Sequence, residues 1–133
     1  MPIREPVPAA PHAHLREPDT ARLAEATRVF ALLSDPTRLH LLWLLALEGL
    51  EEPGEPGEPG EGESDVGSLA ERCAASRTAV SQHLAKLRLA GLVETRREGR
   101  HVHYRLTDGH LRRLVMEALS HADHRVSGQA PHD

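Results

Sequence analysis

Residues 76–106, which read SRTAVSQHLAKLRLAGLVETRREGRHVHYRL, decide the fold of this 133-residue chain. Their first half has the spacing of an amphipathic helix, because Val80, Leu84 and Leu87 recur at i, i+4 and i+7. Ser76 stands where a helix N-cap is expected, and Gly91 stands where the helix should close. These residues predict a helix between Ser76 and Gly91, with one face turned towards a core.

The second half of the stretch predicts a β-hairpin whose turn lies at Glu98-Gly99. Val102, Tyr104 and Leu106 alternate with polar residues, so one face of the second strand should pack and the other should meet solvent. The tip of the hairpin, residues 96–100, carries three arginines. We therefore expect a hairpin with a basic tip.

A second short helix is predicted just before this stretch, in DVGSLAERCAAS. Ser64 or Asp65 can cap it, and it should run through Cys73. Two short helices joined by a tight turn are the signal of a helix-turn-helix. A helix-turn-helix followed by a basic hairpin predicts a winged helix, that is, a mainly α fold with a small β-hairpin wing (α+β).

The outward face of the second helix is small, polar and able to form hydrogen bonds. Such a face suits contacts with base edges in a major groove, whereas an ordinary solvated helix face more often carries Glu and Lys. The tip of the wing would reach the phosphate backbone beside the groove. The residues expected to contact DNA are Ser76, Arg77, Thr78, Ser81, Gln82, His83 and Lys86 in the helix, and Arg96, Arg97 and Arg100 in the wing.

The charge of the chain is segregated along the sequence, which its net charge of −4 conceals. Residues 51–65 hold seven carboxylates and no basic residue, whereas residues 72–113 hold ten Arg or Lys against three acids, a local net charge of +7. A basic half indicates a polyanionic partner, of which nucleic acid is the usual one. On charge alone, a solvated basic face without a partner is an equal interpretation.

Composition limits the class of protein further. The single cysteine, Cys73, excludes a disulfide within the chain and fits a reducing compartment, so we expect a cytoplasmic protein. No run reaches the roughly 18 apolar residues of a membrane span, and no membrane partner is expected. The hydrophobic core of a chain this short gives only marginal stability to a monomer. A homodimer, which would bury more apolar surface, is therefore favoured.

Two further helices are predicted towards the N-terminus. The first follows Asp19, and the second begins at Pro36, where Asp35 can act as its cap. The second is apolar almost all round, in TRLHLLWLLALEGL, and should form the buried centre.

The remaining segments are predicted to lack regular structure. Residues 1–18 contain five prolines and read as a mobile tail, and residues 125–133 read as a second one. Three tandem EPG triplets predict a flexible acidic loop over residues 50–64, inserted in a domain that spans residues 19–124. This loop is either an unselected expansion or an internal polyanion that weakly opposes DNA binding.

The segments SDPTRLHLLWLL and 76–106 together resemble the ArsR–SmtB family of bacterial metal-sensing repressors. The resemblance covers about residues 20–124, apart from the 50–64 loop. It implies a winged-helix homodimer, joined through its N- and C-terminal helices, that binds operator DNA and is released when metal binds.

The same resemblance implies a metal site near the C-terminus. The spacing Asp108-x-His110-x10-His121-x2-His124 looks like the C-terminal-helix site of zinc, cobalt and nickel sensors in this family. One carboxylate and three imidazoles suit Zn²⁺ best, with Ni²⁺ and Co²⁺ as alternatives. Three histidines in the tails could add ligands, although solvated tail residues are the more common explanation: His12, His14 and His132.

Helical geometry places the two halves of this ligand set far apart. His110 and His121 share one face of the helix but are separated by about 16 Å, which one ion cannot bridge. A second copy packed antiparallel would bring residues 108 and 110 of one chain beside residues 121 and 124 of the other, giving two equivalent sites. An apolar stripe would supply part of the dimer contact: Leu111, Leu114, Val115, Ala118 and Leu119.

These observations predict a metal-responsive DNA-binding repressor. A winged-helix regulator that senses no metal is the alternative from the same fold, and a cytosolic metal-storage protein is the alternative from another class. An enzyme is not expected, because no nucleophile–base pair or phosphate-cradling glycine loop is present in the sequence.

Overall fold

The computed structural model describes residues 16–48 and 64–128, so the expectations for residues 1–15, 49–63 and 129–133 lie outside the described part. The chain divides into two compact units, residues 1–31 and residues 32–133. The described residues form five helices and three strands: α1 (Thr20–Leu33), α2 (Pro36–Glu48), β1 (Ser64–Asp65), α3 (Val66–Cys73), α4 (Arg77–Leu89), β2 (Val93–Glu98), β3 (His101–Leu106) and α5 (Gly109–Ser127).

Helix α1 makes up most of the described part of the first unit. It begins as predicted after Asp19, whose Oδ1 accepts a hydrogen bond from the Arg22 backbone N–H at 2.9 Å. Its apolar residues are largely uncovered in the single chain, since Leu23 is 54% exposed and Phe30 is 59% exposed.

Helix α2 is the centre of the second unit, which confirms the prediction from its apolar composition. The Oδ2 atom of Asp35 accepts a hydrogen bond from the Arg38 N–H at 2.9 Å, and Pro36 occupies the first helical position. The helix packs against α3, α4, α5 and β3. Its buried residues are Leu41, Leu42, Leu44, Leu45 and Ala46.

Helices α3 and α4 form the predicted helix-turn-helix. Asp65, rather than Ser64, caps α3, because its Oδ1 accepts from the Ser68 N–H at 2.7 Å. Ser76 caps α4 by accepting from the Ala79 N–H at 3.0 Å. The helix ends at Leu89, and Gly91 follows with a φ of 83°, a left-handed conformation that glycine adopts readily.

The turn between α3 and α4 contains a backbone conformation that is unfavourable for its residue. Ala74 has φ 53° and ψ 42°, and its N–H donates to the carbonyl oxygens of Ala70 and Glu71. The left-handed region brings Cβ close to the following carbonyl oxygen, so an alanine there is strained. The hydrogen bonds that close α3 hold Ala74 in this conformation.

The wing is a three-stranded sheet of order β1-β3-β2. In the hairpin, Val93 lies opposite Leu106 and Glu98 lies opposite His101, so the turn consists of Gly99 and Arg100. The predicted turn at Glu98-Gly99 was therefore wrong by one residue. Gly99 has a φ of 61° and is the first turn residue rather than the second, which leaves Glu98 free to pair within the ladder.

Strand β1 was not predicted. Ser64 lies opposite Tyr104 and Asp65 lies opposite His103, so β1 adds to the edge of β3 just before α3 begins. Residue 64, which the sequence placed in the acidic loop, is the first residue of this strand.

Helix α5 packs against α2 and corrects two expectations. It continues to Ser127, so the helix extends past the predicted domain end at residue 124. Leu111 and Val115 are buried within their own chain and cannot supply the predicted dimer contact. Helical periodicity shows which residues share a face, but it does not show which partner covers them. Leu114 and Leu119 remain half-buried, and Ala118 is exposed.

Among the described residues, no single helix is long and apolar enough to span a membrane, and only α1 and α2 taken together meet the required length and hydropathy.

Candidate nucleic-acid interface and metal centre

The outward face of α4 is accessible, as contact with a DNA groove requires. Val80, Leu84 and Leu87 are fully buried on the inward side, as predicted. Among the helix residues expected to contact DNA, Ser76 differs from the others, because its hydroxyl oxygen is already the acceptor that caps α4. Five of the residues expected to contact DNA are exposed on this helix: Arg77, Thr78, Ser81, Gln82 and Lys86.

His83 is half-buried and faces the start of α2. Its Nε2 lies 3.9 Å from Oδ2 of Asp35. The hydrogen bond from the Arg38 N–H lowers the pKa of Asp35, the charges of Arg38 and His83 lower it further, and desolvation opposes them. A contact between His83 and DNA stays a prediction, but the structure gives this histidine a partner within the chain that the sequence did not reveal.

The guanidinium of Arg77 lies over the first turn of α3. A Cβ built on Gly67 would stand 3.3 Å from its Nη2 atom, so a larger residue at position 67 would displace it. An open groove of about 900 Å³ separates the helix-turn-helix from the wing. Arg77 lines one side of it, and Arg100 and His101 line the other. The groove is thus bordered by two of the cations expected to contact DNA, Arg77 and Arg100, and also by the carboxylates of Asp65 and Glu71.

The arginines of the wing differ in their surroundings. Arg96 is half-buried, and its Nη1 lies 3.1 Å from Oε2 of Glu98, so part of its charge is already offset. Arg97 and Arg100 are exposed. On the same face of the hairpin as Arg96 and Glu98, Arg105 pairs with Glu94 at 2.6 Å. Arg97 and Arg100 are consequently the wing cations best placed for phosphate contacts.

The four predicted metal ligands are all exposed: three are histidines of α5, and Asp108 directly precedes the helix. Asp108 caps the helix as predicted, with Oδ1 accepting from the Leu111 N–H at 2.8 Å. His110 lies in the first turn, and its Nδ1 is 3.0 Å from Nη2 of Arg113. His121 and His124 lie in the last turns at i,i+3 spacing, so they point to the same side of the helix.

The donor set fits a transition metal, but a single chain does not assemble it. Among residues 16–48 and 64–128 of one chain, no group of three or more His, Cys, Asp or Glu side chains could hold a metal ion. One carboxylate and three imidazoles are nevertheless suitable zinc ligands. The two pairs, Asp108 with His110 and His121 with His124, are hereafter called the N-terminal and C-terminal half-sites.

Cys73 does not add a thiolate to this set. Burial raises the pKa of its thiol, against a smaller opposite effect of the Arg72 charge. The chain contains no second cysteine. Cys73 therefore remains a protonated, half-buried thiol near neutral pH, in keeping with a packing role.

Comparisons with known proteins support the interpretation of the fold. The family model described as a helix-turn-helix domain matches residues 33–96. The transcriptional regulator KmtR of Mycobacterium tuberculosis is 41% identical over 104 residues, which are 78% of this chain and 69% of KmtR. A homologue of the cadmium resistance regulatory protein CadC from Staphylococcus aureus is 33% identical over 97 residues, or 73% of this chain and 69% of the relative.

The chain belongs to the ArsR–SmtB family. A structural neighbour agrees with this assignment: the homodimeric winged helix-turn-helix DNA-binding domain of Mb0332 from Mycobacterium bovis, described as a possible ArsR-family regulator. It superposes with a TM-score of 0.65 at 30% identity, covering 85% of this chain and 92% of that domain. Membership of the ArsR–SmtB family makes the chain a DNA-binding transcriptional regulator and not an enzyme, as expected.

Three contacts within this ArsR–SmtB chain were missed by sequence reasoning: Asp35 with His83, Gly67 with Arg77, and His110 with Arg113. Only the last has a local signal, since residues three apart on a helix are neighbours. The contact between Asp35 and His83 joins segments that are far apart in the sequence, and the contact between Gly67 and Arg77 joins two different helices. Neither contact has a local signal in the sequence.

Proposed function

We propose that the protein is a cytoplasmic, metal-responsive transcriptional repressor. In this proposal a metal-free homodimer binds operator DNA, and Zn²⁺, or alternatively Ni²⁺ or Co²⁺, bound between the two subunits releases it. One observation supports the metal part most directly: α5 carries an exposed two-ligand half-site at each end. The half-sites are separated by about 16 Å along the helix axis, so they cannot share an ion within one chain.

A complete site would combine the N-terminal half-site of one subunit with the C-terminal half-site of the other. Asp108 and His110 would then bind the ion together with the second copy's His121 and His124. The ion would act as a crosslink that fixes the two α5 helices relative to each other. Four protein ligands complete a tetrahedral zinc shell and leave no open position for water, which fits a sensor rather than a catalyst.

The packing of the second unit offers a route from α5 to the DNA-binding face. Helix α5 packs on α2, and α2 also contacts α3 and α4. A metal ion that favours one arrangement of the α5 helices would therefore bias the spacing of the two α4 helices. By linkage, operator DNA must weaken metal binding by the same factor by which metal weakens DNA binding.

The relatives add support for each part of the proposal. The homodimeric neighbour from M. bovis supports a dimer that binds DNA through two winged helices. Two-fold symmetry would match an operator made of two half-sites on one face of the duplex. The S. aureus relative is named for cadmium resistance, which supports a metal as the effector.

The proposal is tested by fluorescence anisotropy of the metal-free protein on the DNA upstream of its own gene, at fixed salt. We expect release near stoichiometric addition of zinc, nickel or cobalt. The variants Asp108→Ala and His121→Ala should bind DNA normally but lose metal-dependent release. Glu117→Ala, which removes an exposed carboxylate of α5 outside both half-sites, is the matched control.

Two outcomes would contradict the proposal in different ways. Wild-type DNA binding that none of the three metals disturbs would leave a winged-helix regulator that senses no metal. Normal release by Asp108→Ala and His121→Ala would show that the protein senses metal elsewhere.

A further inference from the structure

The guanidinium of Arg113 is folded back onto the first turn of α5, beside the N-terminal half-site. Its Nη2 lies 3.0 Å from Nδ1 of His110. Its Nη1 lies 3.4 Å from the position that a Cβ on Gly109 would occupy. Both contacts place the cation over Gly109 and against the imidazole, although Arg113 and His110 are exposed and have open solvent available.

This contact determines where the proton of His110 resides. A neutral imidazole has one N–H and one lone pair, and a guanidinium can only donate. When Arg113 donates to Nδ1, it occupies the lone pair and leaves the proton on Nε2. In this arrangement neither nitrogen of His110 is available to a metal ion.

Either mode of ligation by His110 requires Arg113 to move. Ligation through Nδ1 needs the lone pair to which Arg113 donates. Ligation through Nε2 needs the proton to transfer to Nδ1, where it would face an N–H of the guanidinium. The guanidinium is also a cation and would repel a divalent ion nearby.

We propose that Arg113 is a built-in competitor for the metal ion at His110, a positioning residue that sets the metal affinity of the N-terminal half-site. This inference rests on the proposed metal-sensing function. Ions that bind imidazole strongly, such as Zn²⁺, Co²⁺ and Ni²⁺, displace the guanidinium, whereas Mg²⁺ and Ca²⁺, which prefer oxygen ligands, do not. The competition raises the metal concentration at which the protein responds.

The contact itself is tested on the metal-free protein. The ¹⁵N resonances of the His110 ring are recorded at a fixed pH at which the imidazole is neutral. Because Nδ1 accepts a hydrogen bond from Arg113, its resonance should shift in Arg113→Ala. It should not shift in Arg88→Ala, which removes an exposed arginine of α4 and serves as the charge-matched control.

The consequence for metal binding is measured by competition with a chromophoric zinc chelator. We expect Arg113→Ala to bind zinc about five- to ten-fold more tightly than the wild type, with Arg88→Ala unchanged. In a His110→Ala background, the further change Arg113→Ala should give a smaller gain, because only the repulsion between the guanidinium and the ion remains to be removed.

The possible failures are distinguishable. If the wild type binds zinc and Arg113→Ala gains no affinity, or gains it equally in the His110→Ala background, the competitor role is wrong while the metal site stands. If the wild type binds none of zinc, nickel and cobalt, the proposed metal-sensing function is overturned together with the competitor role.

Discussion

Ala74 is the only non-glycine residue with a positive φ in the described part of the chain, and it lies at the turn of the helix-turn-helix. The left-handed conformation costs an alanine about 1–2 kcal/mol, whereas glycine adopts it without a Cβ clash but loses more backbone entropy on folding. The strain is local, since the N–H of Ala74 still donates to two carbonyls of α3.

Ala74→Gly is therefore expected to stabilise the protein by about 0.5–1 kcal/mol, because relief of the clash outweighs the added entropy of the unfolded chain. The free energy of unfolding in urea, at fixed protein concentration, measures this. Ala75→Gly is the neighbouring control: Ala75 has no positive φ, and its replacement should destabilise by a similar amount. A loss of stability in Ala74→Gly would show that the turn does not hold the alanine in a strained state.

At the scale of elements, a carboxylate in the segment between α1 and α2 lies close to a histidine of α4. Asp35 caps α2 at the Arg38 N–H and lies 3.9 Å from Nε2 of His83 on α4. Its pKa is lowered, first by the hydrogen bond from Arg38 and then by the charges of Arg38 and His83. The folded protein thus favours the ionised form of Asp35.

Because the folded-state pKa of Asp35 is lowered, its stabilising contribution is present above the ordinary value of about 4. It is lost as the pH falls through the lowered pKa. Asp35→Asn keeps a side chain that can cap a helix but does not titrate. We expect the free energy of unfolding of the wild type to fall more than that of Asp35→Asn between neutral pH and pH values below about 4. Parallel pH profiles of the two proteins would contradict this assignment.

The wing permits a prediction about salt dependence. Each phosphate contact releases counterions, so losing one should lower the slope of log affinity against log salt by about 1. We expect Arg97→Ala and Arg100→Ala each to reduce the slope by about this amount. Arg96→Ala should reduce it less, because Arg96 pairs with Glu98 at 3.1 Å. An equal reduction in all three variants would show that DNA breaks the Arg96–Glu98 pair.

The sequence predicted the elements whose signals are local and missed those that depend on distant partners. Ser76 and Asp108 were identified as caps because capping is decided within four residues. Strand β1 has only two residues, too few for any periodicity, and it forms through pairing with a strand about 40 residues away. The spacing of the proposed ligands along α5 is visible in the sequence. The orientation of Arg113 towards His110 depends on a side-chain rotamer, which the sequence does not specify.

At the scale of the whole molecule, several features leave a single chain incomplete. Helix α1 exposes more than half of Leu23 and of Phe30, and α5 carries two half-sites without a complete metal shell. A second copy would meet both needs, by covering apolar surface and by supplying the missing ligands.

This arrangement can be tested by mixing two inactive variants. One chain carries Asp108→Ala and His110→Ala, and the other carries His121→Ala and His124→Ala. Each homodimer should bind no metal tightly, because every site lacks two ligands. In the heterodimer, one site loses all four ligands and the other keeps all four, so one metal ion per dimer should bind. Equilibrium dialysis of differently tagged, co-purified heterodimers measures this, and a heterodimer without bound metal would exclude sites shared between subunits.

The small strand β1 also has a consequence for how the protein behaves at high concentration. An open strand edge is a template on which another chain can add and start aggregation. Here β1 covers the edge of β3 at His103 and Tyr104. The outer edge at the other side is β2, whose sequence VETRRE is mostly charged. Within the described residues, neither side of the sheet offers a long apolar edge, so the chain is protected from polymerising through it.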